Sequence, residues 1–279
     1  MKDISYQILD LLEKYGSDPE GIKKALEQEA DPEVLYALSP VRENLLEWYD
    51  WNPEGSLLQI GADYGALTGM LADRLRQVDV WDCRDEDLEV VKRRFPQTEG
   101  IRLLKQTPLE KLEQECYDYI FIPEIRMDLL ESAGKERESS NRQNAEAGTA
   151  SLLTQLKPLL KPEGKLILAG FNRIGLRRFA GAEADEGTAA ITWRLIGEMT
   201  ERCMDGHVPT VYYPVPDHRL PTAVYSDKRL PEKGELSNLS VAYDKPGFRY
   251  FSEEAGFDEL LQEGQFPQFA DSYLVIWEK

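Results

Sequence analysis

From Ser56 onward, apolar runs alternate with helical patterns: "SLLQIG", "ALTGMLADRL", "VDVWD", "DEDLEVVKRRF", "IRLL", "LEKLEQE", "YDYIFIP", "LLTQLKPLLK" and "KLILAG". Strands that alternate with helices of this length pair in parallel, because each crossover carries the chain back to the end where the previous strand began. The expectation is an α/β chain with a doubly wound, mainly parallel sheet. Ligands of such sheets bind outside the carboxyl ends of the strands, near the point where strand order reverses. Gly61, Asp82, Pro123 and Gly170 all stand at predicted strand ends of that kind.

The flanks of this pattern differ from it. Residues 1–50 read as a helical N-terminal extension, with Ile8, Leu11, Leu12 and then Ile22, Ala25, Leu26 at helical spacing. Residues 51–279 form the main domain. Within it, Glu131 to Ala150 is polar and reads as a mobile loop. Residues 209–251 are rich in Tyr, Pro and Asp, and the prolines argue against an ordinary helix or a central strand there. Tyrosines among prolines make a rigid amphipathic surface suited to a substrate lid or an acceptor-binding insertion. "DSYLVIWEK" closes the chain as a last strand.

Composition removes several function classes. The 51 acidic against 33 basic side chains leave a formal charge of −18, which repels phosphate backbones and anionic lipid alike, so neither nucleic acid nor a membrane is an expected partner. No apolar run approaches the length of a membrane span, and "MKDISYQILDLLEKYG" reads as an amphipathic helix rather than a signal peptide. Three cysteines, Cys83, Cys116 and Cys203, are odd in number and far apart, which argues against disulfides and a zinc site and for a reducing cytoplasm. The sequence leaves the oligomeric state open, a homo-oligomer included.

The turn "QIGADYG" carries the chemistry. A dinucleotide-binding turn wants glycines at 61, 63 and 66, where this chain has Gly61, Asp63 and Ala66, so an NAD-linked oxidoreductase is disfavoured. The turn is more similar to the first motif of the class I S-adenosylmethionine-dependent methyltransferases, with Gly61 and Gly65 matching. "VDVWD" resembles their second-strand end, "YDYIFIPEI" the fourth-strand motif and "LKPLLKPEGKLILAG" the turn into strand five, all in register. The resemblance implies a Rossmann-like methyltransferase fold. It also implies S-adenosyl-L-methionine over Gln59, Gly61, Ala62, Asp63 and Gly65, with the adenosine toward Asp82, Pro123 and Glu124 and S-adenosyl-L-homocysteine as product. The glycines would let the backbone approach the methionine part. Gln59 stands where an acidic residue is usual, Asp63 where a glycine is, and Trp81 where the ribose-binding acid is expected, with Asp82 one position later. Each also has a plain structural reading: Gln59 as a buried strand residue, Asp63 as a turn former or helix cap, Trp81 as core.

"LSPVRENLLEWY", "FNRIGLRRFAGAEADEGT", "YYPVPDHRLPTAVYSDKRLPEKGEL" and "FPQFADSYLV" resemble a narrower group, bacterial methyltransferases found with glycosyltransferases of cell-surface polysaccharide assembly. That resemblance implies metal-independent methyl transfer to a sugar hydroxyl or another small-molecule or glycan acceptor. It also implies a histidine after "FAGAEAD", where this chain has Asp185, Glu186 and Gly187. The base that O-methylation needs is then His218 beside Asp217, or Asp185 or Glu186. Asn172 and Arg173 could bind the acceptor or merely begin a turn. Tyr212, Tyr213 and Tyr225 could stack on a sugar or cover the edge of the core. The rival class is a binding or scaffolding protein built on a degraded methyltransferase fold, favoured by Gln59, Asp63, Trp81 and the absent histidine.

Overall fold

The computed structural model describes residues 4–132, 142–182, 187–204, 208–237 and 249–278. Helices α1 (Ile4–Tyr15), α2 (Pro19–Gln28) and α3 (Pro32–Leu38) come first. Asp18 and Asp31 cap α2 and α3 by accepting backbone N–H bonds, and a proline follows each cap, where its missing N–H is not needed. The alternating region then supplies β1 (Ser56–Ile60), α4 (Thr68–Arg74), β2 (Gln77–Trp81), α5 (Asp85–Arg94), β3 (Ile101–Leu104), β4 (Tyr117–Ile122), α6 (Met127–Ser132), α7 (Arg142–Leu156) and β5 (Leu160–Phe171). The remaining elements are α8 (Leu176–Phe179), α9 (Trp193–Met204), β6 (Thr210–Val215), β7 (Ala223–Ser226), α10 (Glu253–Gln262), α11 (Phe266–Phe269) and β8 (Ser272–Glu278).

The strands make one sheet in the order β3-β2-β1-β4-β5-β8-β6-β7. Strands β1 to β5 pair in parallel, β8 runs against β5 and β6, and β7 runs against β6. The order reverses between β1 and β4, so the crevice for a ligand opens at the carboxyl ends of those two strands. This is the doubly wound, mainly parallel sheet that the alternation predicted. Successive strand residues point to opposite faces. Leu58, Ile60, Ile120 and Ile122 join a core under α6, α7 and α9, whereas Leu57, Val78, Val80 and Phe121 join another under α4 and α5. Helices α1 to α3 hold a third apolar cluster, Ile8, Leu12, Ala25, Val34, Ala37 and Leu38, which meets Val90 of α5. That contact sets them at the rim of the crevice. No helix among the described residues is long and apolar enough to cross a membrane.

Three sequence expectations need correction. Arg142 to Ala150, placed in a mobile loop, is the first part of helix α7, which continues into the helical pattern expected from Leu152. Its composition looks loop-like because it uses small residues, and these let it approach α6 closely: a Cβ on Gly148 would lie 3.0 Å from that of Leu130. Thr210–Val215, where prolines argued against a central strand, is β6, between β8 and β7. Its ladder with β8 covers Thr210 to Tyr212 and stops before Pro214, so the proline removes no bond from that side. "LEKLEQE", grouped with the helices, makes only a short 3-10 turn at Leu109–Lys111.

Candidate functional site

The turn after β1 is clamped by the chain's own side chains. Gly61 has φ 95°, a conformation open mainly to glycine, and its N–H donates to Trp81 O at 2.8 Å. Asp63, Tyr64 and Gly65 follow at φ 46°, 53° and 74°, three left-handed residues of which two carry a Cβ. Gln59 supports the turn from behind: its fully buried amide donates to Gly61 O at 2.9 Å and Ala62 O at 3.1 Å, and accepts from Thr68 Oγ1 at 2.9 Å. Arg94 donates to Tyr64 O and Ala37 O, both at 2.8 Å. Arg42, 2% exposed, pairs with Asp63. Burial raises the Asp63 carboxyl above its usual range, against the pull of Arg42.

Asp82 follows directly on the last residue of β2, Trp81, whose indole packs in the core and donates to Thr107 O at 2.7 Å. Asp82 therefore stands at the carboxyl end of β2, and Trp81 is a core residue. Both Asp82 oxygens are taken. Oδ2 accepts from Ala62 N at 2.7 Å and Arg126 Nη1 at 3.0 Å, and Oδ1 from Arg84 N and Arg126 Nη2, each at 2.9 Å. Burial opposes ionisation, yet Arg126 and these amides hold the Asp82 carboxyl below the usual range. Asp87 lies beside it and accepts from Ser5 Oγ of α1 at 2.6 Å. Burial and the Asp82 charge push the Asp87 carboxyl up to about 6.

The glycines of the turn and of α4 are closely packed. A Cβ on Gly61 would meet Leu129 Cδ1 at 3.2 Å and Pro123 Cγ at 3.9 Å, so α6 packs closely on this turn. A Cβ on Gly65 would meet Phe95 at 3.0 Å, and one on Gly69 would meet the same ring at 2.7 Å. Gly65 is thus required by packing against α5. Gln59, a cofactor contact on the sequence reading, spends its amide on the turn and on Thr68.

What remains open is a cleft of about 790 Å³, walled by Asp31, Glu33 and Tyr36 from the N-terminal helices, by Arg42 and Asp63, and by Arg84, Glu124, Arg126 and Arg219. Arg219 lies in the turn between β6 and β7 and grips Glu124 through Nη2 at 2.9 and 3.0 Å. Burial works against the Glu124 charge, but Arg219 and His218 hold its carboxyl well below the usual range.

Only part of the expected acceptor side gathers here. His218 is fully buried. Its Nδ1 lies 3.0 Å from Ser272 Oγ, its Nε2 3.5 Å from Glu124 Oε1, and its ring stands edge-on to Phe171. Asp217 is spent on structure: it pairs with Arg177 at 3.1 Å and accepts from Arg219 N and Leu220 N. Asn172 donates to Gln268 O and Ala270 O and accepts from Ile174 N, so it ties the end of β5 to the entry of β8. Arg173 pairs with Glu146 at 3.0 Å. The tyrosines do not converge. Tyr212 packs on Trp48, Tyr213 donates to Asp227 on the other face of β6, and Tyr225 lies on the edge strand β7. Asp185 and Glu186 lie outside the described residues.

Sequence reasoning missed Arg42, Arg126 and Arg219, which set the charge of the cleft. A usable signal was present: Arg42 lies inside "LSPVRENLLEWY" and Arg219 beside His218, while Arg126 follows β4 in a strongly acidic chain. Among the described residues no cluster of His, Cys, Asp or Glu is arranged for a metal ion.

No family model matches the sequence, and no curated protein matches it. Solved structures do. An S-adenosylmethionine-dependent methyltransferase from Archaeoglobus fulgidus is similar over 88% of this chain and 94% of its own, with TM-score 0.54 and 13% identity. Another from Aquifex aeolicus is similar over 75% of this chain and 97% of its own, with TM-score 0.47 and 19% identity. Geranyl diphosphate C-methyltransferase from Streptomyces coelicolor, in complex with Mg2+, geranyl diphosphate and S-adenosyl-L-homocysteine, covers 94% of this chain and 85% of its own at TM-score 0.48 and 13% identity. The likeness to the Archaeoglobus enzyme, together with the strand order, gives this chain the fold of the class I S-adenosylmethionine-dependent methyltransferases.

Proposed function

We propose that this chain is a binding protein built on a methyltransferase fold, with its nucleoside position closed and its charged cleft kept as the recognition surface. One observation carries the reading: both oxygens of Asp82 are saturated by four donors from the chain itself, so ribose hydroxyls have no free acceptor there. A buried pair of this kind is not displaced cheaply, because an arginine that leaves one buried carboxylate must find another partner. The N-terminal helices and the β6–β7 turn form the walls that meet a small polar ligand in a reducing cytoplasm. Calorimetric titration with S-adenosylmethionine and S-adenosylhomocysteine tests this. No binding is expected up to millimolar ligand, whereas micromolar binding, or stabilisation of about 2.7 kcal/mol at 100-fold excess over the dissociation constant, would reject it.

A second reading is an active, metal-independent methyltransferase of a sugar or other small acceptor in surface glycan assembly, with His218 as base. The turn that carries His218 and Arg219 favours it, since Arg219 leans over the carboxyl end of β4 to reach Glu124. That reading requires Arg126 and Leu129 to withdraw, and labelled methyl transfer to a glycan acceptor would establish it.

A further inference from the structure

We propose that Arg126 is the element that closes the nucleoside position, acting as an internal substitute for the two hydroxyls of a ribose on Asp82. The inference rests on the closed-cleft reading and names its cause.

The geometry of the pair carries the point. A vicinal diol would offer two O–H donors to the two oxygens of a carboxylate. Arg126 offers Nη1 to Asp82 Oδ2 at 3.0 Å and Nη2 to Asp82 Oδ1 at 2.9 Å, the same two-pronged contact made by a charged and stronger donor. The guanidinium is also fixed from behind. Its Nε and Nη2 reach the two oxygens of Asp128, each at 3.0 Å, and Nη1 reaches Asp87 at 3.2 Å. The backbone holds the same segment: Arg126 bridges to Thr188, Met127 N donates to Gly187 O at 3.0 Å, and Ala189 N donates to Ile125 O at 2.8 Å. Arg126 is thus stapled at both ends.

The local charges explain why the arginine stays. Asp82, Asp87 and Asp128 are three carboxylates, and Arg84 is the second cation, paired with Asp87 and Asp128. Without Arg126, Asp82 would lose its cationic partner and keep the backbone amides of Ala62 and Arg84. Such a buried carboxylate would attract a pair of hydroxyl donors.

The test compares the unmodified protein with Arg126→Gln and with the double variant Arg126→Gln/Asp87→Asn, which also removes the surplus negative charge. Folding is checked by circular dichroism, and each protein is titrated calorimetrically with adenosine and with 2′,3′-dideoxyadenosine. Adenosine should bind at least one folded variant about tenfold or more tighter than the unmodified protein, and the dideoxy compound should lose that gain. Folded variants that fail to bind adenosine, or that bind both nucleosides equally, overturn the role of Arg126 while the closed-cleft reading stands. Tight binding of adenosine by the unmodified protein would instead defeat the closed-cleft reading and this inference with it. Should neither variant fold, nitrogen-15 spectra of the arginine side chains decide on the unmodified protein. Hindered rotation of the Arg126 guanidinium, unchanged by millimolar adenosine, is expected, and free rotation or displacement by adenosine overturns the proposal.

Discussion

Replacing Asp63 by glycine separates a ligand-centred view of the turn from the one that its packing supports. If Asp63 only adds a Cβ and a charge where a cofactor should approach, Asp63→Gly is harmless to the fold and favourable to binding. The structure argues the reverse. Glycine relieves a left-handed residue, a gain of about 1–2 kcal/mol, of which its extra freedom in the unfolded chain returns about 0.5–1 kcal/mol. Against that, Arg42 is 2% exposed, its Nε is buried without a hydrogen-bond partner, and Asp63 is its ion-pair partner. Leaving a buried charge without its partner costs about 3–5 kcal/mol. The net is a loss of about 2–4 kcal/mol, or roughly 5 °C in Tm for a chain of this size. Urea denaturation followed by circular dichroism measures it. Arg42→Met/Asp63→Gly should recover most of the loss, since it removes both charges together. Asp63→Gly as stable as the parent protein would refute the pairing argument.

Two further outcomes follow from buried polar groups. Gln59→Glu, which restores the acidic residue usual at this position, should destabilise by about 2–4 kcal/mol, because a carboxylate cannot donate to Gly61 O and Ala62 O and would face both; equal urea midpoints for the two proteins would contradict it. Burial pushes the Asp271 carboxyl up to about 7 against the pull of the Arg177 amide and guanidinium. A raised carboxyl pKa favours the folded state fully below about pH 4, and the benefit is lost as pH rises through 7, with a slope of about 1.4 kcal/mol per pH unit in between. Asp271→Asn should flatten the fall in stability from pH 4 to 7 relative to the parent, and parallel pH profiles for the two proteins would show that Asp271 does not carry it.

The strand-and-helix alternation from Ser56 to Gly170 was legible in the sequence because it is local: periodic burial of apolar side chains selects strand or helix over a few residues, and short crossovers leave few topologies. For the same reason the sequence located the turn after β1 and the strand ends around Gly61, Asp82, Pro123 and Glu124. It misjudged the first part of α7 and β6, where small residues and prolines take their meaning from the neighbour that they touch, Leu130 for Gly148 and β8 for Thr210 to Tyr212. The chemistry of the site was decided by tertiary structure alone. Arg42 meets Asp63 across 21 residues, Arg126 meets Asp82 across 44, and Arg219 meets Glu124 across 95. No local pattern encodes which cation reaches which carboxylate. In a chain with 51 acidic and 33 basic side chains many pairings satisfy the composition, and only the packed positions of the strand ends select the one that closes Asp82.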